Sequence, residues 1–369
     1  MIRILHIVTY MGRGGLETML MNYYRYMPRQ EIQFDFLVHR AFTADYDEEI
    51  LSKGGRIYRF PRLIPGSLRY RHQLMAFLKA HPEYSIIHVH QDCLSSIALK
   101  CAKQCHIPVR IAHSHITSQD KNWKYPVKCY YRQKIPFYAT DFLACSKQAG
   151  EWMFRGHAFS ILPNAIDAGK YTYDPEIAKA VRNSLNIDEQ TCVVGHIGRF
   201  HPQKNHAFLI EVFCEFLKLQ PKSILLLVGD GERRKAIQKK IDHLGIGPYI
   251  RMMGVRSDIP ELLQAMDLFI FPSLYEGLGI SLIEAQSSGL PCLISDSIPE
   301  DCIITRHLVE PYSLKKSPYM WAAKASRLLT IPRKERSGEI RKAGYNLPEA
   351  AKKLEDLYLQ FAAAHATKY

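Results

Sequence analysis

No stretch of this 369-residue chain approaches about 18 consecutive apolar residues, so no helix is expected to span a bilayer. Nine cysteines are present, yet none falls in a C-x-x-C pair or at a zinc-finger spacing, which argues against a dithiol redox motif and a structural zinc module. Cys101 and Cys105, four apart on an expected helix, read as small buried side chains rather than a metal pair. The chain opens into the apolar MIRILHIVTY without a charged leader and cleavage site, and reads as cytoplasmic with reduced thiols. No internal repeat of roughly 20–50 residues recurs. A dinucleotide fingerprint is missing too. Gly12-x-Gly14-x-x-Glu17 puts a carboxylate where a small residue is needed, and the second expected strand ends at Val38-His39 without an acid. A redox enzyme is thereby disfavoured.

What is present is a globular balance, 47% hydrophobic and 23% charged, over a length that suits two domains. The formal charge of +13 favours phosphates, on nucleotides, nucleic acid or anionic lipid headgroups. Short apolar runs at 2–9, 32–39, 56–60, 86–90, 109–113, 141–145 and 159–162 read as strands, with amphipathic helices between them at 16–27, 68–80 and 93–105. After a Pro-, Asn- and Asp-rich segment the alternation restarts. Strands are expected at 191–198, 223–228, 249–253, 268–271 and 292–294, and helices at 206–219, 232–244 and 279–288; from about Trp321 the pattern is helix only. The predicted fold is α/β: two doubly wound, Rossmann-like domains facing a cleft, with loops at the carboxyl ends of the strands aimed into it. The expected division is 1–165, a linker at 166–190, and 191–346.

Four segments carry chemistry. In EGLGISLIE (276–284), Glu276 ends a loop after a strand, Gly277 and Gly279 admit a close ligand, and a helix begins near Gly279 with Glu284 inside it. The helix start suits an anion lying between the two carboxylates. In GHIGRFHPQKNH (195–206), Arg199 and Lys204 follow a strand end, placed to neutralise a departing diphosphate. In GRGGLET (12–18), Gly14 and Gly15 let a phosphate or sugar approach a helix start. His113 and His115, alternate residues at a strand end, fit a hydrogen-bond donor to a sugar hydroxyl better than a metal pair, since no third ligand is evident nearby. Asp45-Tyr46-Asp47 matches a D-x-D metal pattern, but the following EEILSKGG favours a helix with an acidic first turn.

Together these segments resemble glycosyltransferase family 4, retaining enzymes of the GT-B fold, most of all the bacterial exopolysaccharide and capsule subgroup. The resemblance covers nearly the whole chain. It rests on the G-R-x-x-x-x-K-N block at 198–205, VGDGE at 228–232, the E-x7-E motif at 276–284, EAQSSGLPCLISD at 284–296 and ILPNAID at 161–167. One departure is Ala165, where many relatives have Gly; Asn164 and Asp167 remain. The resemblance implies that Glu276 contacts the donor sugar and Glu284 the ribose hydroxyls. Arg199 and Lys204 would grip the diphosphate, helped by amides near Gly14, Gly15 and Gly279. His115, with His113 as competitor, would be the active-site histidine, and the base would rest against Gly254, Val255 and Arg256. It implies no metal and no cofactor. It also implies that a last helix, about 347–366, crosses back onto the amino-terminal domain; its stripe of Leu347, Ala351, Leu354, Leu357, Tyr358 and Phe361 needs a partner surface.

The expected reaction moves a sugar from a nucleotide diphosphate donor, UDP-linked or GDP-linked, to a lipid-linked or polysaccharide acceptor. The stretch 121–134 is basic and aromatic without an acid, and suggests a peripheral site on the inner face of the plasma membrane through Lys121, Trp123, Lys124, Lys128, Arg132 and Lys134. A second basic stretch holds Arg56, Arg59, Arg62, Arg69 and Arg71 among Tyr58, Phe60 and Tyr70. No nucleic-acid recognition motif accompanies either stretch. An epimerase or hydrolase of similar architecture, or a noncatalytic nucleotide-sugar or membrane-binding module, are the competing readings.

Overall fold

The apolar runs of the first half form one seven-stranded parallel sheet in a computed structural model that describes residues 1–119 and 123–366. Its strands are β1 (Ile2–Val8), β2 (Ile32–Val38), β3 (Ile57–Arg59), β4 (Ile86–Val89), β5 (Val109–Ser114), β6 (Asp141–Ala144) and β7 (Ser160–Ile161), in the order β3-β2-β1-β4-β5-β6-β7. Burial on both faces explains why the strands read as continuous apolar runs: all seven residues of β2 are buried. Helix Gly15–Tyr26 sets Met19, Leu20, Tyr23 and Tyr24 into the core beside Phe34 and Phe36. The tail helix Leu347–Ala366 packs into the same core through Leu347, Ala351, Leu354 and Tyr358, with Leu357 and Phe361 partly buried against it. The tail therefore belongs to the amino-terminal unit, Met1–Ala165.

The second unit, Ile166–Asn346, holds a six-stranded parallel sheet. Its strands are β8 (Cys192–Ile197), β9 (Ser223–Val228), β10 (Ile250–Gly254), β11 (Leu268–Phe271), β12 (Cys292–Ser295) and β13 (Val309–Tyr312), in the order β10-β9-β8-β11-β12-β13. In both sheets the first strand lies between neighbours reached in opposite directions, so chain order reverses between β1 and β4 and again between β8 and β11. Such switch points leave a crevice beyond the strand carboxyl ends.

Several expectations need correction. β13 was not expected, because Pro311 falls inside it; an edge strand tolerates the missing N–H. Residues 166–190 are not a bare linker. They include helix Pro175–Ser184, which starts on an Asp174 cap (Oδ1 accepting from Glu176 N at 2.8 Å) and is tied down by Arg182, 2.5 Å from Asp267 Oδ2. Asp174 and Pro175, part of what suggested a connection, are helix-start residues. The helix with an acidic first turn is as expected: Asp47 begins helix Asp47–Ser52, its buried carboxylate accepting from Ala44 N at 3.0 Å and from Arg59 at 2.7 Å, while Asp45 accepts from Arg13 N at 3.2 Å. Ala165 is fully buried in the amino-terminal core, and its backbone needs no positive φ.

Candidate active site

In the carboxyl-terminal unit the two loops at the switch point carry the expected residues. Residues 198–204 follow β8 and residues 272–279 follow β11. Gln203 ties the loops together: its Nε2 donates to Tyr275 O at 2.9 Å and lies 3.3 Å from Glu276 Oε2, and its carbonyl accepts from Leu274 N at 2.8 Å. Lys204 Nζ sits 2.6 Å from Glu276 Oε1, both side chains largely buried. The sequence reading gave Lys204 to a diphosphate and Glu276 to a sugar; in the structure each holds the other. Arg199 on the same loop is exposed, and its guanidinium makes no hydrogen bond or ion pair among the described residues. Gly229, at φ +132°, lets the VGDGE segment press on this loop, since a Cβ there would strike the Gly198 carbonyl.

Gly279 caps helix Ile280–Ser287, and its N–H points at Cys302 Sγ, 3.5 Å away. The first-turn amides beyond it are ones a helix cannot satisfy itself. Glu284 lies inside that helix, buried, with Oε1 accepting from Tyr171 O–H at 2.7 Å. Burial pushes the Glu284 carboxyl up to about 7, against the lowering effect of that hydrogen bond. Tyr171 is raised well above its ordinary value, by burial first and by Glu284 second. Of the expected base-contact segment, Gly254 adopts φ +68° and accepts from Gly229 N at 2.8 Å; Val255 is exposed, and Arg256 chelates Asp258 at 2.8 and 2.5 Å. Tyr171 and Gln203 were missed by the sequence reading. Tyr171 carried no signal there, since its partner is 113 residues away.

The amino-terminal unit has its own constellation. His113 is fully buried on β5, and His115 lies just beyond the strand. The expectation that no third ligand lies near them is wrong. His88 at β4 and His90 just beyond its end alternate as His113 and His115 do at β5, and His6 lies opposite His88 on β1. The sequence did hold the signal, in the HVH at 88–90. Burial lowers all five: His6 and His115 to about 3, His88, His90 and His113 well below the ordinary value. They are neutral imidazoles at physiological pH. The Glu17 carboxylate folds back over Gly14, where a Cβ would collide, so a carboxylate already faces this helix start; Gly15 is open.

The basic aromatic stretch is only partly a surface. On and beside helix Tyr125–Tyr138, Trp123 is 83% exposed, Tyr130 57% and Phe137 65%, with Lys124 exposed among them. Lys134 Nζ lies over the Tyr130 ring at 5.4 Å, and Lys128 bonds Gln119. Arg132 does not face outward: it is buried with its guanidinium 4.4 Å over the Trp152 ring. Lys121 lies outside the described residues. In the second stretch Tyr70 is buried against His39, Arg59 pairs with Asp47, and Arg56 pairs with Glu83 at 2.9 Å. Among the described residues no helix is long and apolar enough to cross a membrane.

Residues 13–170 match the family model Glycosyltransferase Family 4, and residues 178–346 match Glycosyl transferases group 1. A putative glycosyltransferase, EpsF of Bacillus subtilis strain 168, is 35% identical across 90% of this chain and 89% of its own. The chain is a family 4 glycosyltransferase. This family 4 chain is also 26% identical, over 75% of its length and 76% of the relative's, to the Escherichia coli UDP-Gal:alpha-D-GlcNAc-diphosphoundecaprenol alpha-1,3-galactosyltransferase. Among solved structures, Anabaena HepE, crystallised with UDP and glucose, matches with a TM-score of 0.75 over 99% of both chains at 18% identity. That likeness bears on the fold, which is GT-B.

Proposed function

We propose that this glycosyltransferase moves a sugar from a UDP-linked donor, with retention at the anomeric carbon and without a divalent metal, to a lipid-linked acceptor in surface-polysaccharide biosynthesis. The observation that carries the proposal is the meeting of Lys204, Glu276 and the Gly279 helix start at the β8–β11 switch point, with Glu284 one helix turn further in. Departure of the sugar leaves negative charge on the diphosphate, and fixed cations with helix amides can neutralise it in place of a metal. Arg199 and Lys204 supply that charge. When Lys204 turns to the diphosphate, the Glu276 carboxylate is released to accept from sugar hydroxyls. Glu284 accepts from the ribose hydroxyls, with Tyr171 holding it in place, and the base lies along Gly254–Arg256.

The donor and acceptor classes take support from the Escherichia coli relative, whose name gives UDP-Gal as donor and a diphosphoundecaprenol-linked sugar as acceptor. Such an acceptor is held in a membrane, which suits the exposed Trp123, Tyr130 and Phe137 with Lys124 and Lys134 beside them. His115 would give a hydrogen bond to a sugar hydroxyl. A thermal-shift screen of UDP- and GDP-sugars, each run with and without EDTA, tests the donor clause. A nucleotide sugar at about 100 times its dissociation constant adds about 2.7 kcal/mol, which raises the melting temperature of a unit this size by roughly 5–10 °C. A shift from UDP-sugars that survives EDTA is expected. A shift that appears only with GDP-sugars, or only with Mg²⁺ or Mn²⁺, would overturn the base or the metal clause respectively.

A further inference from the structure

Asp92 stands three residues beyond the end of β4, at the carboxyl edge of the amino-terminal sheet and beside the β1–β4 switch point. Its backbone is left-handed, with φ +45°, a conformation that a residue with a side chain holds only where its surroundings impose it. Gln91 N donates to Ser95 Oγ at 3.2 Å and Ser95 N donates to the Asp92 carbonyl, which closes the turn Asp92–Leu94 against helix Tyr125–Tyr138. An Asp in such a turn commonly folds its side chain onto nearby backbone. Asp92 does not: among the described residues its carboxylate has no hydrogen bond and no ion pair. By contrast Asp35 is held by Arg3 and Tyr84, Asp47 by Arg59 and Ala44 N, and Asp141 by Thr140. Nor are the Asp92 oxygens sealed in, since the residue is partly exposed and neither oxygen is among the covered polar atoms. The packing is still close enough that desolvation lifts the carboxyl to about 6, against the lowering effect of Lys128. Crowded by protein yet reached by solvent, the group is placed to meet a ligand.

At neutral pH the group is mostly ionised and can only accept hydrogen bonds, so what it awaits is a donor. Phosphates are repelled by its charge, which sets the diphosphate of the nucleotide sugar aside. A divalent cation is disfavoured by a single carboxylate with the Lys128 charge beside it. Sugar hydroxyls remain, and of the two substrates the saccharide acceptor is the one that Lys204, Glu276 and Glu284 leave without a partner. We propose that Asp92 is a binding residue for the acceptor saccharide, its carboxylate taking a hydrogen bond from a sugar hydroxyl. The identity of that ligand rests on the transferase reading above; the open carboxylate is a property of the amino-terminal unit alone. A residue kept only to shape the turn would obey a different rule, because Asn and Gly suit a positive φ at least as well as Asp does.

The test is an NMR titration of the full-length protein, with and without UDP, against the methyl glycosides of glucose, galactose and N-acetylglucosamine. At least one should bind the wild type. Asp92→Asn should bind it about tenfold more weakly, the difference between a charged and a neutral hydrogen-bond acceptor, and Asp92→Gly about 10- to 100-fold more weakly. Neither change should lower Tm appreciably, and both should leave UDP binding within about twofold of wild type, since a carboxylate without a partner holds nothing in place. In turnover with lipid-linked saccharides, Asp92→Asn should raise KM for the acceptor and leave KM for the UDP-sugar nearly unchanged. No glycoside bound by the wild type, equal binding by all three proteins, a Tm lowered by both changes, or a KM effect on the UDP-sugar alone would overturn the proposal. A wild type that binds a glycoside through Asp92 but never UDP would leave the proposal standing and overturn the donor clause instead.

Discussion

Glu284 has had its titration moved by burial into the range of ordinary buffers, to about 7. Ribose hydroxyls are donors, and the ionised carboxylate accepts from both while still receiving the Tyr171 hydrogen bond. The protonated form keeps fewer acceptor sites. Nucleotide binding that needs the ionised form must therefore weaken about tenfold, or ~1.4 kcal/mol, for each pH unit below about 7, and level off above about 8. Calorimetry with UDP from about pH 5.5 to 8.5 measures this directly. Glu284→Gln cannot ionise; it should bind more weakly at neutral pH and lack this slope. The second ionisation of a terminal phosphate, near about pH 6, affects both proteins alike and cancels in the comparison. Stability has its own sign. Because the folded value lies above the ordinary 4.5, the ligand-free folded chain holds a proton that the unfolded chain releases. Stability then falls as pH rises from about 4.5 to about 7, by at most about 3 kcal/mol, and Glu284→Gln should remove that fall. A flat binding profile in the wild type, or the same slope in both proteins, would refute the ribose role.

Glu276→Gln should lower kcat at least about 100-fold while UDP binds within about threefold of wild type, because Lys204 loses its partner but keeps its charge for the diphosphate; lost UDP binding with intact turnover would exchange the roles of the two glutamates. A truncation ending at Asn346 removes Leu347, Leu354 and Tyr358 from the amino-terminal core, at about 1.5–3 kcal/mol each, a sum comparable with the whole stability of a domain. It should abolish turnover, whereas Tyr358→Phe, which removes only the hydroxyl 2.7 Å from His88 Nδ1, should cost about 1 kcal/mol; a folded, active truncation would contradict this. Sedimentation with anionic vesicles should show binding that falls with salt and is weakened by Trp123→Ala with Lys124→Ala, while Arg132→Ala should act on stability instead. Recovery in the supernatant with every vesicle type would remove the membrane clause.

What was legible in the sequence follows from what is local. β9 and β11 and the helices Leu68–Ala80 and His206–Leu219 coincide with their expected bounds, since apolar period and capping residues act over a few positions. The tail stripe was readable for the same reason, and its partner core is the amino-terminal one. Loops at strand ends were readable because sheet topology dictates where ligands go. The rest depends on contacts that no spacing encodes. Lys204 and Glu276 are 72 residues apart, and Tyr171 and Glu284 113 apart; neither pair has a periodic signature. Arg132 sits in a basic run yet turns inward onto Trp152, a choice made by packing rather than composition. Pro311 hid β13 because a proline counts against a central strand but not against an edge one. The histidine group falls between these cases: HVH and HSH were visible, but only the β4–β5 register brings them side by side.

Acceptor-dependent release of UDP tests the central claim most directly. Purified protein is mixed with a UDP-sugar and lipid-linked saccharides in vesicles, and free UDP is followed with time. UDP that appears only when acceptor is present, in equal amount to glycosylated lipid, is the expected result, with Glu276→Gln silent in the same assay. UDP released at the same rate without acceptor would make the protein a hydrolase. Interconversion of the sugar with no UDP released would make it an epimerase.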